Sequence, residues 1–394
     1  MTVHMDLRYS AEHEAFRREV RDWLAAHVPR PALPSGDTAE GFARCKVWER
    51  QLFDAGYAVV SWPREYGGRG ASLWEWLIFE EEYYRAGAPP RVAQNGIFLL
   101  APTLFEFGTE DQKTRILKRM AAAEEVWAQG WSEPNAGSDL AGIQSRAERT
   151  EGGFRLYGQK TWCTRGAFCD FLFGLFRTDP AAPRHKGLTY FLVPLRAEGV
   201  TVRPVGRLDG DDGFAEVFCD GVFVPDRDVL GGVHEGWRVA MATASSERGL
   251  SLRSPGRFLA TAARLCELYR RHRGAADAAD PGLRDRVVQA WMDAEAYQLY
   301  TLRTVTRLAE GEKLGAEASL NKIFWSEMDV RMHETALALL GERAELCGGA
   351  PGAVEAGAWM KGYQFALAGP IYAGTNEIQK NVVAERVLGL PKAK

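Results

Sequence analysis

The chain has 394 residues, of which 46% are hydrophobic and 26% charged, and a formal net charge of −3. This length and composition predict a globular protein of two or three subdomains, and the charge supplies no basic surface for nucleic acid. No apolar run is long enough to span a bilayer and no secretory signal opens the chain, so we expect a cytoplasmic protein. The six cysteines show neither a C-x-x-C pair nor metal-ligand spacing, so we expect no metal site.

The first 126 residues are predicted to form a helical domain. Thr109 is followed three residues later by Gln112, and this capping box predicts a helix start. Pro- and Gly-rich segments at 29–36 and 62–70 predict connections between helices. Apolar residues recur at helical spacing in four stretches, 10–27, 42–55, 73–86 and 94–107.

The pattern changes near Trp127, where β-forming residues replace the helical spacing. Turn residues such as Gly and Asp separate the β-rich segments from one another. We therefore predict a small antiparallel β-domain over residues 127–234. Its expected strands are 154–157, 171–177, 188–194, 200–205 and 215–224.

Long helical patterns return over residues 235–394, where Ala, Arg, Glu and Leu dominate. The expected helices are 236–271, 283–310, 317–340, 354–368 and 375–387. The whole chain is therefore predicted to be mainly α-helical, with a central β-domain between two helical domains.

Three short segments carry the chemical signal: 131–139, 159–164 and 371–379. In the last, Thr375 or Asn376 can cap free backbone N–H groups and Glu377 falls in the first turn, so this helix start suits an electron-rich ligand edge. Each segment is weak evidence alone, because Trp162 could be a sheet-core residue and Ser132 or Thr164 a turn residue. In this order and domain context, the three segments resemble the acyl-CoA dehydrogenase family of flavoenzymes.

The resemblance implies a fold with a C-terminal four-helix bundle and an FAD-dependent α,β-dehydrogenation of an acyl-CoA thioester in lipid β-oxidation. It implies an electron-transfer flavoprotein as electron acceptor and a homodimer or homotetramer. Ser138 corresponds to a loop that lines the CoA channel of the family. The positions that match flavin contacts of the family are Trp131, Ser132, Trp162, Thr164, Thr375 and Glu377.

The catalytic base of the family occupies one of two places. The first place directly precedes the final Gly-Thr, and this chain has Ala373 there. The second place lies beside an arginine on the first long helix of the C-terminal domain, and this chain has Glu247 and Arg248 there. This combination resembles isovaleryl-CoA dehydrogenase. Glu247 is therefore predicted to abstract the α proton, the backbone N–H of Ala373 to bind the thioester oxygen, and Arg248 to contact the acyl carrier. The alternative is a solvated ion pair of Glu247 with Arg248 or Arg253.

Two elements of the family pattern are missing. Residues 268–277 contain no Arg-x-x-Phe-Gly, and residues 338–342 lack the Gln and the second Gly of a further flavin contact. Both elements reach the flavin of a neighbouring subunit in the family. Two alternatives therefore stay open: a partner subunit of a heteromeric acyl-CoA dehydrogenase, or a flavin oxidase or monooxygenase of the same fold.

Overall fold

A computed structural model of the protein describes residues 9–248, 254–312 and 315–392, without the side chains of 245–248 and 275–279. The chain divides into two compact units. Unit 1 consists of Met1–Val28, Leu73–Ala88 and Arg248–Lys394, and unit 2 consists of Pro29–Ser72 and Pro89–Glu247. No helix in the described part is both long and apolar enough to cross a bilayer.

Helices precede and follow a central sheet, as predicted. Those before the sheet are α1 (Ala11–His27), α2 (Ala39–Asp54), α3 (Leu73–Arg85), α4 (Ala101–Phe107) and α5 (Glu110–Ala121). Those after it are α6 (Gly236–Arg248), α7 (Pro255–Ala279), α8 (Leu283–Ala309), α9 (Ala318–Leu340), α10 (Ala358–Ala366) and α11 (Asn376–Val382). The predicted capping box of Thr109 and Gln112 is present at the start of α5.

Four predicted helices differ from those observed. The stretch 354–368 begins as a 3-10 turn, Val354–Gly357, before α10, and 375–387 ends as a π-helical turn, Val383–Val387, after α11. The stretch 94–107 begins as a π-helical turn, Gly96–Leu100, before α4 continues it. The stretch 236–271 is divided between α6 and α7. Pro255 opens α7, which is a favourable first position because proline lacks the N–H that a first-turn residue leaves unbonded.

The sheet of unit 2 contains eight strands, β1 (Trp127–Gly130), β2 (Arg146–Thr150), β3 (Gly153–Thr164), β4 (Phe171–Arg177), β5 (Leu188–Pro194), β6 (Val200–Val205), β7 (Phe214–Pro225) and β8 (Val229–Leu230). The strand order is β6-β7-β3-β2-β4-β5-β8. Most pairs are antiparallel, as predicted, but β1 is added parallel to β4 with Trp127 opposite Phe171. This parallel addition places the chain that leaves β1 beside the end of β3.

Each unit has its own apolar core. In unit 2 the inward-facing residues of the strands form it, with Leu156, Leu172 and Phe191 fully buried. In unit 1, α7 packs against α3, α8 and α9, while α10 and α11 pack on α9. Aromatic side chains fill this helical core, among them Phe258 and Trp325.

Candidate active site

Trp162 is presented to solvent by an irregularity in β3. The pairing of β3 with β7 shifts register between Lys160 and Cys163, and Trp162 lies there with a φ of +58°. A positive φ is rare for a bulky side chain and is found preferentially where function requires it. The indole is 60% exposed and packs edge-to-face on Phe214, with ring centroids 5.8 Å apart. The bulge therefore holds a flat aromatic surface open for a ligand.

The loop after β1 is tied to this part of β3. The backbone N–H of Thr161 donates to the carbonyl of Ser132 at 2.9 Å. Trp131 packs edge-to-face on Tyr190, and its buried Nε1 has no hydrogen-bond partner within the described ranges. The structure thus brings together Trp131, Ser132, Trp162 and Thr164, four of the residues predicted to contact the cofactor.

Ser132 and Thr164 are both partly exposed residues with a side-chain hydroxyl. Neither forms a side-chain hydrogen bond to any residue that the structure describes. Together with the Trp131 Nε1, they are polar groups available to the edge of a bound flavin. The residues present therefore fit this cofactor.

A buried ion pair fixes the loop beneath these groups. Lys160 is completely buried, and its Nζ lies 2.7 Å from Glu133 Oε1, 3.5 Å from the carbonyl of Trp131 and 4.7 Å from the centre of the Phe176 ring. Glu133 also accepts the backbone N–H groups of Gln144 and Ser145, at 2.7 and 3.0 Å. The pair thus links the end of β3 to both ends of the loop.

The same contacts set the ionisation of the pair. Burial by itself raises the pKa of Glu133, but the Lys160 ammonium and hydrogen bonds from Gln144 and Ser145 outweigh it and hold the pKa below its ordinary value. Both residues lie inside the motif segments 131–139 and 159–164, but the sequence did not predict a role for them. The available signal was a lysine two residues before Trp162 and directly followed by the β-branched Thr161.

The turn after Thr164 is fixed by a second set of charges. Asp37 accepts from Arg165 at 2.6 Å and from Arg207 at 2.7 Å. The backbone N–H of Arg165, a residue with a φ of +54°, donates to the carbonyl of Gly213. These contacts hold both sides of the Trp162 bulge in one conformation.

Ser138, the predicted CoA-channel residue, lies exposed in the loop that follows Glu133. The neighbouring Asp139 forms an ion pair with Arg184, which anchors the end of this loop. The Ser138 hydroxyl is therefore accessible, and the structure gives it no other role.

In unit 1, Ala373 begins a tight turn before α11. Ala373 and Gly374 both have positive φ, at +56° and +76°. Gln379 Nε2 donates to the Ala373 carbonyl at 3.0 Å and holds the turn closed. The backbone N–H of Ala373 has no acceptor among the described residues. It is a fixed, unbonded donor of the kind that can bind a developing oxyanion.

The start of α11 resolves the two capping candidates. Thr375 is the N-cap, and its side chain accepts from the backbone N–H of Ile378 at 3.2 Å. Asn376 is instead buried, and its Oδ1 accepts from Lys322 at 2.8 Å and from Ser326 at 3.2 Å. Asn376 thus anchors α11 to α9 and is not available to a ligand.

Glu377 lies exposed in the first turn of α11. Its own backbone N–H and the Thr375 hydroxyl lower the pKa of its carboxyl group, so the charge at this helix start is secured. Ala373, Thr375 and Glu377 are therefore grouped at one helix start, as the motif predicted.

Glu247 and Arg248 end α6, but their side chains lie outside the described residues. One turn earlier, the Thr243 hydroxyl lies 2.8 Å from the Thr103 hydroxyl and 3.4 Å from the Tyr190 hydroxyl. These contacts hold α6 against α4 and β5 within unit 2. The catalytic role of Glu247 stays a prediction.

Unit 2 also contains two clefts away from these residues. One of about 910 Å³ lies between the start of α5 and the segment around His234, and one of about 880 Å³ lies over Trp127 and Phe171. Neither is lined by Trp131, Trp162 or Thr164. Among the residues described, no group of three or more His, Cys, Asp or Glu side chains could hold a metal ion.

Family models for the three domains of acyl-CoA dehydrogenase match the chain: the N-terminal domain at residues 10–124, the middle domain at 128–222 and the C-terminal domain at 234–388. The acyl-CoA dehydrogenase IpdE1 of Mycobacterium tuberculosis is 39% identical over 96% of this chain and 98% of its own length. A solved structure described as the Tcur3481-Tcur3483 steroid ACAD is 29% identical, with a TM-score of 0.88 over 99% of this chain and all of that chain. The ChsE4-ChsE5 complex from Mycobacterium tuberculosis is 28% identical, with a TM-score of 0.83 over 99% of this chain and all of that chain.

Proposed function

Because the chain belongs to the acyl-CoA dehydrogenase family, and thus dehydrogenates an acyl-CoA thioester with a flavin, we propose that its flavin is FAD. The observation that carries this proposal is the Trp162 bulge, which exposes an indole beside unbonded hydroxyls of Ser132 and Thr164. Trp131 completes this set in unit 2. Thr375 and Glu377 are proposed as further contacts to the cofactor.

We propose that Glu247 removes the α proton of the substrate. When bound, FAD accepts the hydride from the β carbon. The backbone N–H of Ala373 donates to the thioester oxygen as negative charge develops there, and its lack of another acceptor supports this role. Enclosure by protein and acyl group would raise the pKa of Glu247 and so strengthen it as a base. Ser138 and Arg248 contact the carrier arm.

The acyl group is proposed to be bulky or branched. Ala373 leaves space where other members of the family place a glutamate, and the structure described as a steroid ACAD supports a polycyclic acyl group.

An electron-transfer flavoprotein is the proposed acceptor of the electrons. We also propose three domains, with the bounds 1–126, 127–234 and 235–394. The proposed location is the cytoplasm, because six free cysteines suit a reducing compartment.

A hetero-oligomer is the favoured assembly. The chain lacks the two elements that reach a neighbour's flavin in the family, at residues 268–277 and 338–342. Two similar structures carry names that join two different chains. We therefore propose that a related chain completes the flavin sites, with a homodimer or homotetramer as the alternative.

An anaerobic titration of the FAD-loaded protein with a panel of acyl-CoAs tests the reaction directly. Bleaching of the flavin absorbance by a member of the panel is the expected result. Glu247→Gln should keep the flavin spectrum and acyl-CoA binding but slow bleaching at least about 100-fold. Glu235→Gln is the matched control, since Glu235 lies just before the same helix and, within the described ranges, its carboxylate forms an ion pair only with the exposed Arg238. Unchanged bleaching in Glu247→Gln would show that another group is the base.

A further inference from the structure

A partly open recess in unit 1 combines one cation with aromatic walls. Arg257, near the start of α7, lies close to Tyr372 and Tyr84. Its guanidinium carbon is 6.0 Å from the centre of the Phe365 ring, which in turn lies 6.3 Å from the Tyr372 ring. Tyr84, Phe365 and Tyr372 are all partly exposed. We call these four residues the Arg257 recess.

The ion pair in this recess is asymmetric. Arg257 Nη2 lies 2.7 Å from Asp329 Oδ2. The Asp329 side chain is 3% exposed, whereas the Arg257 side chain is 23% exposed. The carboxylate is thus sealed in the core, while part of the arginine side chain stays accessible. Packing alone does not require this arrangement, because a buried ion pair is often no more stable than an apolar pair of the same size.

The chemistry of the recess selects a class of ligand. A guanidinium has five N–H donors, and the bond to Asp329 does not use all of them. Asp329 already neutralises the charge, so the remaining donors suit a neutral acceptor such as a ketone or hydroxyl oxygen better than a second anion. The aromatic side chains around it suit a flat, apolar ring body.

The recess lies beside the proposed site of reaction. Tyr372 directly precedes Ala373, whose backbone N–H marks the thioester oxygen in the proposed function. The Tyr372 side chain leads from there to Arg257. The recess is therefore placed to receive the acyl group.

We propose that Arg257 is a specificity-determining residue that donates a hydrogen bond to a neutral oxygen on the ring portion of the acyl group. This inference rests on the proposed function, since it takes Ala373 as the reacting end of the pocket. The enzyme then selects oxygenated cyclic acyl groups over hydrocarbon ones of the same shape.

The test compares two acyl-CoAs with the same fused-ring skeleton, one with a ring ketone and one with a methylene in its place. Isothermal titration of the dithionite-reduced holoenzyme gives both Kd values without turnover. We expect the ketone to bind about 10- to 100-fold more tightly, as for a hydrogen bond to a charged donor. Arg257→Met should bring the two Kd values within about threefold, and Arg257→Lys should retain part of the difference.

Two further variants guard against a change in folding. Arg257→Met combined with Asp329→Asn removes both charges, so no unpaired carboxylate is left in the core. Arg264→Met is the matched control, because Arg264 lies on the same helix, pairs with Glu355 at 2.7 Å and stacks on Trp359, but is 51% exposed. The control should leave the ratio of Kd values unchanged.

Different failures have different meanings. Equal Kd values for ketone and methylene, or a difference that survives Arg257→Met, would overturn the role of Arg257. Tightest binding by a carboxylate-bearing analogue would show that the neutral acceptor is wrong. If acyl-CoAs bind but none bleaches the flavin in the oxidised enzyme, the proposed function fails. If no acyl-CoA binds, both proposals fail.

Discussion

Removal of the buried Lys160 ammonium should be among the most destabilising single changes in unit 2. Lys160→Met removes the cation from Glu133, whose side chain is only 8% exposed, while the backbone N–H groups of Gln144 and Ser145 remain its donors. Loss of one partner from a buried pair costs about 3–5 kcal/mol of unfolding free energy. The double variant with Glu133→Gln should be less unstable than the sum of the two single changes, because no unpaired charge is left.

Urea denaturation of the four proteins in this double-mutant cycle measures the coupling between the two side chains. Lys113→Met is the control, since Lys113 and Glu110 form a similar 2.9 Å pair whose glutamate is 81% exposed. That change should cost less than about 1 kcal/mol. A cost below about 1 kcal/mol for Lys160→Met as well would refute the reasoning that this pair holds the loop.

Three further outcomes follow from the same structure. Trp162→Ala should change the unfolding free energy by less than about 1 kcal/mol, because the indole is exposed. The same change should weaken FAD binding in a fluorescence titration, and an unchanged FAD affinity would contradict the proposed role of Trp162. Asn376→Ala removes an acceptor from the buried Lys322 ammonium and should cost about 1.5–3 kcal/mol in urea denaturation, whereas the exposed Glu377→Gln should cost much less. The pKa of Glu133 in the folded protein lies below its ordinary value of 4.5, so the native state should lose stability as the pH falls from 4.5 toward that lower value. In Glu133→Gln, the urea denaturation midpoint should not show this loss over the same pH range.

The sequence predicted the strands best where apolar runs are bounded by turn residues. The predicted limits of 171–177, 188–194 and 200–205 agree with those observed. β2 was not predicted because four of its five residues are charged or polar and only one is buried, so it shows no apolar alternation. The two residues of β8 are too few to form a pattern.

The candidate site residues could be named from the sequence, but the contacts that support them could not. The motif residues Trp162 and Thr164 could be named from the resemblance, whereas the bulge that exposes Trp162 depends on register with β7. Asp37 lies far from Arg165 along the chain and joins it only in the folded unit. Such long-range ion pairs have no local sequence pattern, and for that reason reasoning from the sequence missed them.

The groups presented for binding and those that support them differ in charge. Lys160 with Glu133, and Asp37 with Arg165, are buried or half-buried pairs that balance each other's charge behind the loop and the bulge. The groups left open in unit 2 are neutral: an indole and two hydroxyls. In unit 1 the unbonded backbone N–H of Ala373 is likewise neutral. Fixed neutral donors stabilise negative charge as it develops without binding the uncharged substrate too tightly, because their dipoles need no reorganisation during the reaction. We propose that the two ion pairs hold the indole and the hydroxyls of unit 2 in place for the reaction.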